Sequence, residues 1–228
     1  MGTRMESGFE RRLQREVEGE VFFDVFQRGR YATDASIYQI MPAGVVVPKN
    51  FDDVEKAIAI AREEGVSIVP RGGGTSQCGQ TVNAGLVIDN SKYLNKIIEL
   101  DIANRRCTVE PGIVLDDLNR VLKPYGLWYP VDVSTASRAT IGGMAGNNSS
   151  GARSLRYGKM RDNVRSIDAI LANGTKGHFG LVQADQPNGN EAQALLFRAL
   201  LDLGAREAEE IVRRFPAVQR RVGGYNID

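Results

Sequence analysis

The amino-acid sequence predicts an α+β fold, in which helices and strands occupy separate stretches of the chain. Two helical patterns, at residues 50–64 and 114–122, enclose several short strand patterns with no helix between them. A doubly wound sheet would place a helix after each strand, so this order argues against that architecture. The chain also carries two glycine-rich loops, about sixty residues apart, which indicate a ligand site.

Composition excludes several classes of protein. The 228 residues are 42% hydrophobic and 25% charged with a net charge of +1, which is typical of a globular protein that does not bind nucleic acid. No apolar run reaches the ~18 residues of a membrane span, and residues 1–20 are too charged for a secretory signal. The two cysteines, Cys78 and Cys107, indicate a reducing compartment and exclude a four-cysteine metal site within this chain. We therefore expect a cytoplasmic protein without a bound metal.

Apolar periodicity predicts the first elements in order. Residues 6–17 form an amphipathic helix, and residues 29–48 form an extended segment. The helix at residues 50–64 has its apolar side chains on one face and ends before Gly65, which favours helix termination. A short apolar strand at residues 66–69 then leads to the first glycine-rich loop.

The central part of the chain reads as strands followed by one helix. Strands are predicted at residues 85–89, 96–100 and 106–110. The helix at residues 114–122 ends before Pro124, because proline lacks the N–H donor and disfavours helical geometry in the residue before it.

The C-terminal part predicts a hairpin and then helices. A strand at residues 164–172 is followed by a turn at residues 173–174 and a second strand ending near Phe179. Residues 190–214 read as two helices broken at Gly204.

The two glycine loops are the part of the sequence that points to function. The first glycine loop is residues 70–80, and the second glycine loop is residues 130–151, with its glycines concentrated in residues 140–151. Glycine permits positive φ and close approach of a ligand to the main chain. Successive main-chain N–H groups can then bind an anion without a charged side chain. With threonine, serine and asparagine interspersed, the loops predict a site for one long, phosphate-bearing cofactor.

The sequence disfavours three other interpretations of the loops. Residues 74–81 match the nucleotide-binding P-loop pattern at every position except one, where Gln80 replaces the lysine. A strand also follows this segment, whereas a P-loop is followed by a helix. A dinucleotide-binding fingerprint is excluded, since no G-x-G-x-x-G spacing opens a helix. The third interpretation is that both loops are only tight turns. It is disfavoured by the hydroxyl and amide side chains beside glycine in both loops.

The loops and their surroundings resemble a known family. Residues 70–76 resemble the pyrophosphate loop of the FAD-linked oxidases, the family of vanillyl-alcohol oxidase and p-cresol methylhydroxylase. The likeness runs from about residue 29 to residue 175. Its other parts are residues 30–36 and 42–48, which resemble the family's first strands, residues 109–122 between the loops, and residues 130–134, 140–151 and 156–158, which are similar to its second flavin-contacting segment.

The resemblance implies a two-lobed FAD-binding domain of the p-cresol methylhydroxylase type, with its second lobe incomplete. Within the family the chain is most similar to the D-lactate dehydrogenase and glycolate oxidase D-subunit branch. That branch implies FAD, with non-covalent binding favoured, and a small-molecule 2-hydroxy acid as substrate. We expect an N-terminal helical segment at residues 1–28, the FAD-binding domain at residues 29–182, and a helical insertion at residues 183–228.

The resemblance also implies which residues hold the cofactor. In the first loop these are Pro70, Arg71, Gly72, Gly73, Gly74, Thr75, Ser76 and Gln77; in the second segment they are Pro130, Asp132, Ser134, Thr140, Ile141, Gly142, Gly143, Asn147, Asn148, Gly151 and Tyr157.

Several side-chain roles remain open at this point. Arg71 could neutralise a phosphate or form an ordinary salt bridge, and Asp132 could bind the ribose or cap a turn. Tyr157 could lie beside the isoalloxazine or fill the core. Cys78 could form a thioether with the flavin, but we expect a small buried thiol, and we expect Trp128 in the core.

Catalytic residues are not assigned. Oxidation of a hydroxy acid needs a base, a partner for the carboxylate and a hydride acceptor. The one histidine, His178, lies near a predicted strand end, where an incidental role is the expectation.

The chain stops at Asp228, before the turn with which the family's flavin domain continues. We therefore expect an N-terminal fragment, a truncated chain or a split-gene product, completed by a cap domain and by an iron–sulfur domain or subunit outside this chain. The alternatives are a flavin-binding fragment or subunit with no independent activity, and a nicotinamide-using flavin reductase sharing the fold.

Overall fold

Three small sheets and the helices packed on them make up the fold. The structure is a computed structural model, and it describes residues 3–181, 191–218, 221–222 and 227. The strands are β1 (Glu20–Phe22), β2 (Gly44–Val47), β3 (Ile68–Arg71), β4 (Leu86–Asp89), β5 (Ile97–Asp101), β6 (Arg106–Val109), β7 (Ile167–Ile170) and β8 (Lys176–Phe179). The helices are α1 (Thr3–Glu16), α2 (Val25–Gly29), α3 (Phe51–Glu63), α4 (Leu115–Leu122), α5 (Ile141–Gly146), α6 (Ser154–Tyr157), α7 (Met160–Asn163), α8 (Glu191–Arg206) and α9 (Ala208–Arg214).

The largest sheet has the strand order β1-β2-β4-β3. Strands β2, β3 and β4 are parallel, and β1 runs antiparallel to β2 at one edge. Every residue of β2 and β4 is buried, as expected for parallel strands covered on both faces. Helices α1 and α3 cover the face that carries Val46 and Leu86, and Tyr31 packs on the opposite face against Val45 and Val87.

The connection from β3 to β4 contains no helix. These strands are parallel neighbours, and parallel neighbours need a crossover of a dozen or more residues, which is usually helical. Here residues 72–85, including most of the first glycine loop, make that crossover. The loop therefore begins at the carboxyl end of a parallel strand, which is where open sheets of this kind bind their ligands.

A second hydrophobic core lies around α4. Leu115, Leu118 and Leu122 of this helix are buried, and they pack with Val131 and with residues of α5 and α7. The β5–β6 hairpin contributes partly buried side chains to the same core. The molecule thus has separate cores around the parallel sheet and around α4, and the α+β class is confirmed.

Several elements of the structure differ from the prediction. Strand β1 and helices α2, α5, α6 and α7 were not predicted, and the segment at residues 29–48 is mostly turns before β2. Gly204 does not break a helix, because α8 continues through it and ends two residues later. An interior glycine costs a helix only about 1 kcal/mol relative to alanine, so a break does not follow from it. No helix in the described part of the chain is long and apolar enough to cross a membrane.

A buried carboxylate holds the N-terminal elements together. Asp53, on the first turn of α3, is fully buried. It accepts hydrogen bonds from the main-chain N–H groups of Glu18 (2.8 Å) and Lys49 (2.9 Å). It therefore joins the segment between α1 and β1 to the segment between β2 and α3.

We expect Asp53→Ala to lower the free energy of unfolding by about 2–3 kcal/mol, because the main-chain N–H groups of two partly buried hydrogen bonds lose their acceptor. The neighbouring variant Asp52→Ala is the control, since Asp52 makes only an exposed ion pair with Lys56 that is worth about 0.5 kcal/mol or less. Urea unfolding followed by circular dichroism measures both. Equal losses in the two variants would contradict this role for Asp53.

Candidate functional site

The two glycine loops touch each other. A Cβ added to Gly72 would lie 2.0 Å from Thr140 Oγ1, and a Cβ on Gly73 would lie 2.2 Å from the carbonyl oxygen of Arg138. The loops therefore approach at a distance that no larger residue permits. Thr140 is buried, and its Oγ1 caps α5 by accepting a hydrogen bond from the N–H of Gly143 (3.3 Å).

The first glycine loop is stabilised by its own polar side chains. Gly74 and Gly79 have φ angles of +63° and +72°, which other residues rarely adopt. Ser76 Oγ accepts a hydrogen bond from the N–H of Cys78 (3.2 Å) and donates one to Gln80 Oε1 (2.7 Å). Cys78 is exposed, so the expectation of a buried thiol is wrong.

Arg71 forms no ion pair with any residue that the structure describes, although a salt bridge was one of its two predicted roles. Its guanidinium donates to main-chain carbonyls, including that of Thr33 (2.8 Å). Burial lowers the pKa of Arg71 below its usual value. Sequence reasoning did not find these carbonyl partners.

Asp132 caps a turn in the second glycine loop. Its Oδ1 accepts a hydrogen bond from the N–H of Arg153 (2.9 Å), and a Cβ on Gly151 would lie 2.2 Å from the same oxygen. Asp132 thereby orders the chain between Gly151 and Arg153. Of its two predicted roles, the structure shows the capping role.

Asn148 has a hydrogen-bond donor that lacks an acceptor. Its backbone has a φ of +45°, and its Oδ1 accepts from the N–H of Arg161 (3.1 Å). Its Nδ2 atom is buried and has no hydrogen-bond partner within the described ranges. Asn148 lines an open groove of about 530 Å³ together with Arg161, Arg165 and Phe179. Buried polar atoms are normally satisfied, so this donor fits a ligand with oxygen acceptors.

Trp128 and Tyr157 form a half-exposed aromatic pair beside the second glycine loop. Their rings meet edge to face at 5.3 Å, and each is 39% exposed. The guanidinium of Arg153 lies over Trp128 and that of Arg156 over Tyr157, both at 5.2 Å. The expectation of Trp128 in the core is wrong. The neighbouring Tyr129 is the inward-facing ring instead, and burial raises its pKa.

The remaining predicted residues divide between packing and exposed positions. Ile141 is buried, and a Cβ on Gly142 would lie 2.5 Å from Pro111, so both belong to the packing of α5. The exposed positions are Pro70, Gln77, Ser134, Gly143 and Asn147, while Thr75 and Pro130 are half-buried. His178 is exposed and pairs with Asp168 across the β7–β8 hairpin (2.7 Å).

Comparison with known proteins gives one family and a consistent set of relatives. A family model described as an FAD binding domain matches residues 42–180. D-2-hydroxyglutarate dehydrogenase of Pseudomonas putida is 36% identical over 218 residues, which are 92% of this chain and 22% of that protein. Glycolate oxidase subunit GlcD of Bacillus subtilis is 42% identical over 164 residues, which are 70% of this chain and 35% of that protein.

A solved structure agrees with the fold. Alkyldihydroxyacetonephosphate synthase superposes with a TM-score of 0.68 over 77% of this chain and 38% of that chain, at 23% identity. This chain spans between about a fifth and about a third of the length of the curated relatives. The predicted flavin-binding fold and the predicted cofactor, FAD, are confirmed.

The described residues fit this cofactor. FAD carries a pyrophosphate and several carbonyl and hydroxyl oxygens, all of which accept hydrogen bonds. The first glycine loop has three consecutive glycines, Gly72, Gly73 and Gly74, directly after the carboxyl end of β3, and a main chain without side chains at this end of a parallel strand suits an anion. The unpartnered Nδ2 of Asn148 is a further donor of the required kind.

The contact between the loops should be necessary for flavin binding. We expect Gly73→Ala to weaken FAD binding about ten-fold or more, because its methyl group would push the first loop away from the Arg138 carbonyl. Quenching of flavin fluorescence measures the dissociation constant.

The matched control is Gly146→Ala. A Cβ at Gly146 meets nothing within 4 Å outside its own helix backbone in the described part of the chain. This variant should bind FAD like the wild type. Wild-type affinity in Gly73→Ala would show that the loops need not touch for FAD to bind.

Proposed function

The chain belongs to the family of FAD binding domains, and from that premise we propose that it is the flavin-binding part of an oxidoreductase that oxidises a D-2-hydroxy acid. The observation that carries the proposal is the direct contact of two glycine-rich loops at the carboxyl end of a parallel sheet. The names of the relatives support the substrate class, since they include a D-2-hydroxyglutarate dehydrogenase and a glycolate oxidase subunit.

We propose the following division of work among the residues. Main-chain N–H groups of residues 72–76 bind the pyrophosphate, because exposed amides without side chains are suited to an anion. Asn148 Nδ2 donates to an oxygen of the cofactor. Bound FAD supplies a two-electron acceptor. The exposed Trp128–Tyr157 pair limits the access of water to the second loop.

The proposal includes non-covalent binding of FAD. The first glycine loop contains no histidine, and the side chain of its one cysteine, Cys78, is exposed. A thiol is nucleophilic as the thiolate, which a nearby cation or base promotes.

The base and the carboxylate partner are assigned to other parts of the enzyme. His178 is exposed, and its Nδ1 is engaged by Asp168, so we give it no catalytic role. We propose that a cap domain outside this chain supplies both groups, and that an iron–sulfur domain or subunit accepts the electrons. The chain's coverage of 22% of the Pseudomonas putida relative is consistent with such additional parts.

This chain on its own should bind FAD, but the FAD-loaded chain should not oxidise a hydroxy acid. We expect no bleaching of the oxidised flavin band when it is mixed anaerobically with D-lactate, glycolate or D-2-hydroxyglutarate, because a base must be positioned close to the reacting carbon. Dithionite is the positive control for reduction. Bleaching by one of the acids at a catalytic rate would assign catalysis to residues of this chain.

A chimera tests whether this chain can serve as the flavin-binding part of a D-2-hydroxy-acid dehydrogenase. The matching 218-residue stretch of the Pseudomonas putida D-2-hydroxyglutarate dehydrogenase is replaced by this chain. If the proposal is correct, the chimera should retain FAD and should oxidise D-2-hydroxyglutarate but not its L enantiomer, because the rest of the Pseudomonas putida protein supplies the groups that bind the substrate.

The same chimera discriminates the alternatives. A folded, FAD-containing chimera reduced by NADH or NADPH but not by the hydroxy acid would favour the nicotinamide-using reductase. FAD retention without reduction by either donor would favour a flavin-binding domain of different specificity. The parent dehydrogenase, treated identically, is the control.

A further inference from the structure

The guanidinium of Arg71 binds three main-chain carbonyls from two separate segments. Its Nη1 donates to the carbonyl oxygens of Tyr31 (3.2 Å) and Thr81 (3.4 Å), and its Nη2 donates to that of Thr33 (2.8 Å). Tyr31 and Thr33 belong to the segment at residues 30–43, which we call the N-terminal arm. Thr81 follows the first glycine loop directly, and Arg71 is one of its first residues. One side chain therefore connects the arm with both ends of the loop.

A buried hydrogen bond holds the arm in the position that Arg71 requires. The hydroxyl of Tyr31 donates to Asp89 Oδ2 (2.9 Å), and both residues are buried. The other oxygen of Asp89 accepts from the N–H (2.9 Å) and the hydroxyl (2.6 Å) of Ser91. Arg71 lies over the Tyr31 ring at 5.3 Å, so the ring supports the guanidinium from one face.

Further contacts also join the N-terminal arm to the first glycine loop. Thr81 Oγ1 donates to Asp34 Oδ2 (3.2 Å), and the Tyr38 ring is close enough to Gly79 that a Cβ there would lie 2.6 Å from it. Gly74 needs its positive φ and also its lack of a side chain, since a Cβ would lie 2.5 Å from Arg71 Nη2. The conformation of the first glycine loop is thus coupled to the arm at several points.

We propose that Arg71 is a positioning residue that holds the first glycine loop in its binding conformation by joining it to the N-terminal arm. It acts on FAD through the main chain of the loop rather than by contact with a phosphate, and the proposal rests on the assignment of this loop to FAD. A planar guanidinium can serve three carbonyls in a fixed geometry, which the single ammonium of lysine cannot reproduce. The field of Asp89 and Asp34 also favours keeping the positive charge at this half-buried position.

Two conservative variants separate positioning from phosphate contact. Arg71→Lys keeps the charge and loses the forked geometry, and Tyr31→Phe removes one hydroxyl without altering Arg71 or the loop. We expect the FAD dissociation constant to rise about ten-fold in Arg71→Lys and about three-fold or more in Tyr31→Phe. Both ratios to the wild type should be unchanged between about 0.05 and about 0.5 M salt, because the loss is geometric rather than Coulombic.

Two control variants test whether any arginine substitution in the arm, or any loss of stability, lowers FAD affinity. Arg30→Lys changes a neighbouring arginine of the arm whose bond is to Gln27, and it should leave FAD affinity unchanged. Ile60→Val removes a buried methyl group from the core of the same sheet, and it should lower the melting temperature without changing affinity below that temperature. A rise in the dissociation constant in Ile60→Val equal to that in the test variants would overturn the proposal, since affinity would then follow stability alone.

The rate of limited proteolysis in the N-terminal arm tests the coupling between the arm and the loop. A direct contact of Arg71 with a phosphate would not change this rate. If arm and loop are coupled, saturating FAD should slow chymotrypsin cleavage after the exposed Tyr38 by about three-fold or more in the wild type. This protection should disappear in Arg71→Lys.

The outcomes are distinguishable. Wild-type affinity in either Arg71→Lys or Tyr31→Phe would overturn the positioning role, as would a salt-dependent loss in Arg71→Met with no loss in Arg71→Lys. Failure of the wild-type chain to bind FAD at all would reject the FAD assignment of the loop instead.

Discussion

The close contact between the two glycine loops is the constraint on which the rest of this structure depends. Gly72 and Gly73 lie against Thr140 and Arg138, and a single methyl group at either glycine would overlap the other loop. The first loop extends from the parallel sheet, and the second belongs to the core around α4. The contact therefore joins the two cores where the main chain of the first loop meets the Thr140 side chain and the Arg138 carbonyl. It also keeps the two glycine loops side by side.

Buried polar groups maintain that arrangement by connecting segments that are distant in sequence. Asp53 accepts from a residue 35 positions away, and Tyr31 donates to Asp89 across 58 positions. Arg71 adds a bond to Thr33 across 38 positions. These three groups all have partners, so none incurs the full penalty of desolvation. In the described part of the chain, three other buried side-chain atoms have no partner, namely Arg28 Nε, Asn90 Oδ1 and Asn148 Nδ2, and the last of these lies in the second glycine loop.

The helices at residues 50–64 and 114–122 were predictable because their signals are local. An apolar stripe, the cap at Asn50 and the stop at Gly65 all act within a few residues, and the structure has α3 and α4 at these places. Strand β1 has only three residues and is stabilised by pairing with β2, so its own sequence carries almost no signal. The predicted break at Gly204 was wrong because packing and neighbouring residues outweigh the modest cost of one glycine.

The sequence by itself determined the fold class, the two glycine loops and the expectation of a phosphate-bearing cofactor, because backbone freedom and hydroxyl-rich composition are properties of short segments. Only the tertiary structure decided what individual side chains do. Asp132 caps the turn at Arg153, Trp128 faces outward, and Arg71 binds carbonyls of the N-terminal arm. Every residue has a carbonyl oxygen, so no sequence pattern marks the carbonyls that the half-buried guanidinium of Arg71 will meet. The carbonyl groups that bind Arg71 are determined only when the chain folds, because the two cores and the parallel sheet then bring particular segments within hydrogen-bonding distance.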